Sequence, residues 1–400
     1  MGRVIGYDLT DMAAQVSVSI DTGRAEEVQS VPVFAGSEKY VIPVAAYKAE
    51  NGTVYYGEEA IQSAGDKGGL VTSLLYGAAE GREGYRDLLQ GFLMKTIHLA
   101  SLITPLSEVE RMVVTLPEPE EKLVKTVNDA LEFLKEEHIS VRIIGYAESF
   151  FYYAMNQDEF LTRNKIALFD HDGSRVHSML LSTRTDTRPH VSMVEERTFD
   201  MSSRDDYSFL SIARTVLDAE IVSAVYLSGE GFEGGWLKES VAYLCERRRR
   251  VFQGRNLYTK GACYAGIDDR DGNPLLESCR FFDDDKLGSN IGVYMITDGQ
   301  EIYHPLLSAG VNWYEANGET EFMLGEDQEI RIRVENYFTK DIRYSVIRAD
   351  AIPKRPDRCT RMRLKVSMKD ASTVHCEAID LGFGEIFRTA GDSLEADIYL

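Results

Sequence analysis

A two-lobed α/β region followed by a β-sandwich is the architecture this sequence predicts, and three observations predict it. Strand-type and helix-type runs alternate over residues 165–266, the pattern of an α/β lobe on a central sheet. Over 287–400 helical periodicity fades, and short strand-type runs bounded by turns replace it, as in a sandwich of ordinary domain size. Three β-type runs, over 4–11, 166–174 and 224–232, end in short turns of Asp, Gly, Ser and Thr.

In chain order, 1–56 reads as strands over 16–20, 30–34, 41–47 and 53–56 joined by polar turns. Asn51-Gly52 signals a hairpin, because type I′ turns need positive φ at both central positions. Residues 57–103 shift to helical spacing, with Leu74, Leu75, Leu88, Leu89, Phe92 and Leu93 at three- and four-residue intervals. A buried-type strand over 111–117 precedes an amphipathic helix over 120–137, where Leu123, Val127, Ala130, Leu131 and Leu134 share one face. A strand over 141–146 runs into a helix that begins around Glu148. The second lobe then reads strand, hairpin, helix (207–220), strand, helix (235–250) and a short helix over 257–265. Residues 267–286, rich in Asp, Gly and Pro, read as an acidic linker. Sandwich strands are expected over 291–296, 330–334, 342–348, 362–368, 374–379 and 396–399.

The 400 residues suffice for two or three domains with their own cores. A formal charge of −21 disfavours nucleic acid and anionic membrane surfaces, since both attract positive fields. No apolar stretch approaches the ~20 residues that span a bilayer, and the N-terminus enters a strand without a signal-peptide pattern. A cytoplasmic protein without membrane insertion is the expectation. The cysteines Cys245, Cys263, Cys279, Cys359 and Cys376 are odd in number and lack C-x-x-C spacing, which fits reduced thiols. The histidines are scattered, so no metal site of protein ligands alone is expected.

A strand ending in Asp and small residues can set a carboxylate and free backbone N–H groups against a phosphate–metal group. The three turns resemble, in order and spacing, the two phosphate loops and the adenosine loop of the actin, sugar-kinase and heat-shock chaperone superfamily. Val113-Val114-Thr115-Leu116-Pro117 resembles the strand before a long helix in the seventy-kilodalton chaperones. Arg142-Ile143-Ile144-Gly145-Tyr146-Ala147-Glu148-Ser149 resembles their Arg-Ile-Ile-Asn-Glu-Pro-Thr-Ala, and Gly261-Ala262-Cys263-Tyr264-Ala265 their second connecting helix. Pro305 to Gly310, Glu321-Phe322, Ile330 to Val334 and Ile352-Pro353 look like landmarks of their β-sandwich.

The resemblance implies an α/β, actin-like two-lobed ATPase fold with ribonuclease H-like lobes, about 1–160 and 161–266. One subdomain is missing, and a β-sandwich resembling a chaperone substrate-binding domain follows over 287–400. The implied ligand is ATP or ADP with Mg²⁺. Its implied contacts are Asp8, Thr10, Asp11, Asp170, Asp172, Gly173, Gly229 and Gly231, with Asp8 and Asp170 on the metal. Glu148, matched to a water-aligning glutamate, and Asp170 are the candidate catalytic carboxylates.

Departures from the family pattern weigh against that chemistry. Asp8-Leu9-Thr10-Asp11-Met12 replaces Asp-Leu-Gly-Thr-Thr. The glycine that allows close approach of phosphate is lost, and a carboxylate is added where phosphate oxygens would lie. His171 and Asp172 stand where the second loop has small residues, and Ile61 where the family has a catalytic lysine. Only a hairpin and one helix fit between Ser174 and Ala224, where the family inserts a subdomain that walls the adenine pocket. Bland alternatives exist for each residue. Asp8 and Asp170 can be loop-capping carboxylates, Glu148 a helix N-terminal carboxylate, and Gly229 and Gly231 parts of a tight turn. Arg247 to Arg250 can complement a helix C-terminus, and Cys263 can be a small packing residue.

The expected function is therefore a chaperone-like or scaffolding protein with a degenerate nucleotide-binding domain, a pseudo-ATPase that requires no cofactor. Its sandwich is expected to bind a protein or peptide partner, by pairing main chain at a strand edge or within a loop cleft. The alternatives are an active ATPase of this superfamily, a small-molecule kinase and an actin-like filament subunit.

Overall fold

Apolar residues cover both faces of the first strand, β1 (Arg3–Leu9), whose last six residues are all buried, as in a central strand packed on two sides. The computed structural model describes residues 2–23, 25–65, 68–356, 359–389 and 392–400. Its contacts divide the chain into two units, Met1–Asp283 and Asp284–Leu400. The protein is mixed α/β, with a sheet-rich C-terminal part.

In the first unit, β1 continues into β2 (Ala13–Asp21) and β3 (Glu26–Ser30) as an antiparallel meander. β4 (Ile42–Pro43) pairs with β2. β5 (Ala46–Lys48), β6 (Val54–Tyr56) and β7 (Leu70–Val71) form a three-stranded sheet, with α1 (Glu58–Ala64) between the last two. The β5–β6 hairpin forms as expected, but Ala49 and Thr53 bond across it and positive φ falls on Gly52 alone. It is a three-residue connection rather than a type I′ turn. Helices α2 (Leu74–Ala79) and α3 (Tyr85–Ile97) lead to β8 (Val109–Leu116), α4 (Glu121–Ala130), β9 (Ser140–Gly145) and α5 (Tyr146–Met155). β8 and β9 add in parallel on the far side of β1, giving the order β3-β2-β1-β8-β9.

The same plan repeats. β10 (Lys165–His171), β11 (Arg175–Arg184) and β12 (His190–Asp200) form a second antiparallel meander. After α6 (Asp206–Leu217), β13 (Val222–Ser228) joins β10 in parallel. After α7 (Glu239–Leu244), β14 (Arg250–Gln253) joins β13. Helices α8 (Leu257–Arg270) and α9 (Pro274–Ser278) follow, and β15 (Cys279–Phe282) pairs with β12. The order β14-β13-β10-β11-β12 thus mirrors the first sheet strand for strand. The helix that leaves each sheet packs on the other one. Phe150 and Tyr153 of α5 meet Tyr226 of β13 edge-on, whereas Thr259 of α8 donates to the Gly6 carbonyl of β1 at 3.0 Å.

Two expectations need correction here. Residues 267–286 are not a linker: α8 runs to Arg270, and α9 and β15 complete the first unit. Asp268 holds α9 by accepting from the Leu275 amide at 2.8 Å, and Asp269 pairs with Arg142 at 2.7 Å. Nor does one helix span 235–250. α7 has six residues, Arg247 and Arg248 take positive φ, and Arg250 opens β14. Arg249 turns inward and donates to the carbonyls of Tyr243 and Leu244, which satisfies helix-end acceptors through one buried side chain.

The second unit contains β16 (Ser289–Thr297), β17 (Gln300–Leu307), β18 (Asn317–Met323), β19 (Glu329–Asn336) and β20 (Ile342–Arg348). It ends with β21 (Arg361–Asp370), β22 (Thr373–Gly382) and β23 (Ser393–Tyr399). Two antiparallel sheets, β17-β16-β19-β20 and β18-β21-β22-β23, enclose one core that includes Ile291, Ile332, Leu364 and Cys376. β17 and β18 escaped the sequence reading because Pro305 and the Glu-rich run after Asn317 mask their alternation. Asp380, fully buried, accepts from Arg355 at 2.8 and 2.6 Å. Arg355→Ala leaves that carboxylate with only the Gly382 amide as donor and is expected to lower the unit's denaturant stability by about 3 kcal/mol.

Candidate functional site

The two equivalent strands of the repeat each carry an aspartate at the same register. Asp8 of β1 pairs with Thr115 of β8, and Asp170 of β10 pairs with Ser228 of β13. The two equivalent helices each begin with a tyrosine, Tyr146 at the start of α5 and Tyr258 near the start of α8. These four residues meet. The tyrosine rings stack with centroids 3.6 Å apart and 13° between planes. Tyr146 donates its hydroxyl to Asp8 Oδ1 at 2.8 Å. The Tyr258 hydroxyl is buried beside Asp170 but reaches no partner at hydrogen-bonding geometry.

The electrostatics follow from burial. Asp8, taken out of water, is raised to about 7, with the Tyr146 hydrogen bond opposing the rise and the charge of Asp170 adding to it. Asp170 is also raised, chiefly by burial, with Tyr258 and His177 working the other way. Both tyrosine hydroxyls are pushed well up, first by burial and then by the carboxylates. Removal from water, deep for Asp8 and partial for Asp170, pushes both carboxyls toward their neutral forms.

The amides of Thr10, Met12 and Ala13 in the first acidic turn, and of Asp172, Gly173, Ser174 and Arg175 in the second, are engaged within the turns. In the first, the Thr10 hydroxyl accepts from the amides of Met12 and Ala13 at 3.2 and 2.9 Å, and the Thr10 amide donates to the Ala13 carbonyl. Asp11 points away, accepting from the Tyr76 amide at 3.1 Å and so capping α2. In the second turn Asp172 Oδ1 accepts from the amides of Ser174 and Arg175, both at 2.7 Å. The Gly173 amide donates to His171 Nδ1 at 3.1 Å. These are self-closing polar turns.

The third turn is packed on the second. A Cβ on Gly229 would lie 2.3 Å from the His171 carbonyl oxygen and 2.4 Å from Asp170 Oδ1. A Cβ on Gly231 would lie 2.2 Å from the His171 ring. Both glycines are there for backbone approach, with protein rather than ligand on the other side. His171 is buried edge-on against Phe232 and Trp236.

The remaining candidates fall outside this cluster. Glu148 is buried in an ion pair with Arg142 at 2.5 Å, and Arg142 also bonds Asp269 at 2.7 Å. Glu148 is therefore a structural partner of Arg142, and the residue the sequence reading missed is Tyr146. Tyr258 was missed too. Its only signal is its place, one residue into the helix equivalent to α5. Ile61 is partly exposed on α1. Among the described residues, no group of three or more His, Cys, Asp or Glu is set to hold a metal ion, and no helix is long and apolar enough to cross a membrane. A groove of about 510 Å³ on α6, lined by Tyr207, Leu210, Arg214 and Asp218, includes none of these residues. Mg²⁺–triphosphate is a poor fit to this cluster, with most of its turn amides engaged and Asp8 bonded to Tyr146.

Comparison with known families divides the chain where the structure does. A model described as "Domain of unknown function (DUF8552)" matches residues 286–400. A model described as "Family of unknown function (DUF5716) C-terminal" matches residues 27–284. The latter begins after β2, so Asp8 and the first turn precede it. No curated protein matches the chain. With more than half of its residues in that match, the chain belongs to the DUF5716 family of unknown function.

Proposed function

We propose that this chain is a chaperone-like or scaffolding protein of actin-like, two-lobed fold whose nucleotide site has been converted into packing. It works as a pseudo-ATPase without a required cofactor, and its C-terminal sandwich binds a protein or peptide partner. The fold assignment draws support from the duplicated sheet order and the exchanged helices α5 and α8. The functional reading rests on one observation, the stack of Tyr146 on Tyr258 between Asp8 and Asp170. In the resemblance these carboxylates would hold Mg²⁺ and phosphate; here Asp8 accepts from Tyr146 and Asp170 lies beside Tyr258.

An active ATPase is the second reading, since Asp8, Asp170 and both glycine turns are in their expected order. Separating the two takes a thermal-shift and calorimetric titration with Mg-ATP and Mg-ADP. A ligand at a hundred times its Kd adds about 2.7 kcal/mol of stability, well above detection. The expected outcome is no shift, with phosphate release at buffer background. Micromolar binding abolished by Asp8→Ala would establish the ATPase reading instead.

A further inference from the structure

Four strands end the two sheets of the C-terminal unit, and three of them guard their free edges. β17 carries Pro305, β18 carries Glu319 and Glu321, and β23 carries Glu395 and Asp397. Proline and charge are the common devices that stop an edge from pairing. β20 reads Ile342-Arg343-Tyr344-Ser345-Val346-Ile347-Arg348, without proline, glycine, lysine or acid. It pairs with β19 on one side, and among the described residues no strand pairs with the other.

Its two arginines are its only charges. Arg343 donates to the Tyr399 carbonyl at 2.5 Å, and Arg348 sits 3.9 Å from Glu329. Between them Ile342, Tyr344 and Val346 share the outer face at 48, 55 and 48% exposure, while Ile347 enters the core. Arg333, opposite Tyr344 on β19, lies over the Tyr303 ring at 4.8 Å. Tyrosine, arginine and exposed aliphatics are the composition of an interface rather than of a solvated sheet.

We propose that β20 pairs antiparallel with β20 of a second copy, about a two-fold axis at Ser345, joining two four-stranded sheets into one. The strand is self-complementary in that register. Ser345 meets Ser345 of the copy, and Tyr344 meets Val346 twice over, giving two aromatic–β-branched pairs side by side. Ile342 meets the aliphatic stem of Arg348, and Arg343 meets Ile347, so no like charges face each other. A parallel pairing in register would set each arginine against its counterpart. A slip of one residue would turn the copy's core face to solvent. This two-fold contact is isologous and therefore closes at a dimer. The copies repel at long range because each carries −21, so screening strengthens the contact.

Sedimentation of the full chain tests this. The expected result is a monomer–dimer equilibrium that is tighter at about 0.5 M salt than at about 0.05 M. Val346→Lys and Tyr344→Lys each raise the dimer dissociation constant about tenfold or more, because lysine on an edge removes a cross-strand pair and adds a charge to bury. Ile296→Lys, exposed on β16 of the same sheet, leaves it unchanged. Circular dichroism confirms that the variants fold. Ser345→Cys forms an interchain disulfide on mild oxidation, beyond what the parent gives through exposed Cys245. A parent that is monomeric throughout overturns the proposal, as does a dimer indifferent to Val346→Lys or a Ser345→Cys variant that cross-links no more than the parent. Loss of peptide capture in Val346→Lys without any change in mass would assign the edge to a peptide and reject self-pairing.

Discussion

Gly261→Ala is expected to lower the stability of the N-terminal unit by about 3 kcal/mol or more. A Cβ there would lie 2.0 Å from the Ser149 carbonyl oxygen, 2.6 Å from its carbon and 3.0 Å from its Cα. All three are backbone atoms of α5, so no rotamer change relieves the overlap. α8 cannot retreat either, because its other side is pressed on β1. A Cβ on Gly6 would sit 2.1 Å from the Thr259 carbonyl oxygen and 2.5 Å from the Cys263 amide. Overpacked cores usually cost about 1–3 kcal/mol where side chains can yield, and a helix held by backbone on both sides belongs at the top of that range. Gly254→Ala, whose Cβ would meet only Asn256 Oδ1 at an ordinary 3.8 Å and which has no positive φ, should fall within about 0.5 kcal/mol. Urea titration followed by Trp236 fluorescence in a Trp313→Phe background isolates the unit. A Gly261→Ala midpoint equal to that of Gly254→Ala would mean that α5 and α8 do not cross as described.

That crossing was legible in the sequence only as a run of small residues, Gly261-Ala262-Cys263, whose partner lies more than a hundred positions away. Strands with continuous burial, such as β1, β8 and β10, could be read directly, since period and composition are local properties. Alternating strands with one apolar face, such as β21 and β22, were equally plain. The end of α7 was not, because four consecutive arginines look like a solvated helix terminus until Arg249 finds carbonyls and β14 takes Arg250. Among the candidate site residues, Asp8 and Asp170 were found from their turns. Tyr146 and Tyr258 were not, since an aromatic at a helix start carries no chemical signal until topology stacks it on another. The side chains of Thr10 and Asp172 marked both turns as polar, but did not show that the turns close on themselves. That outcome depends on hydroxyl and carboxylate geometry within each turn.

Asp8→Asn is expected to raise stability at pH 8 by about 2 kcal/mol, where most buried-polar substitutions destabilise. Asp8 is raised to about 7 in the folded chain, against about 3.9 in an unfolded one. The native state therefore binds more protons than the unfolded state across that interval. Stability contributed by this group is present below about pH 4, falls as pH rises toward 7, and is level above. Asparagine keeps an oxygen to accept from Tyr146 while removing the ionisation, and the allowance for its buried N–H groups brings the full linkage energy down to the stated figure. Asp170 shifts in the same direction, so the slope of stability against pH shrinks in Asp8→Asn without vanishing. The groups facing Asp8 are Tyr146, Asp170, Tyr7 and Tyr258. Taking the difference between parent and variant at each pH cancels their contribution to first order. Tyr146→Phe supplies the opposite sign: it removes a hydroxyl donor from Asp8 and costs more at pH 8, where the carboxylate must ionise, than at pH 4. An ATPase needs these acids ionised around a metal, and its Asp→Asn variant gains apo stability while losing ligand binding. In a packed tyrosine–aspartate cluster the gain comes with no change in response to Mg-ATP, because there is no response to lose. Destabilisation by Asp8→Asn at pH 8, together with protection of the parent by Mg-ATP, would reverse both the sign and the conclusion.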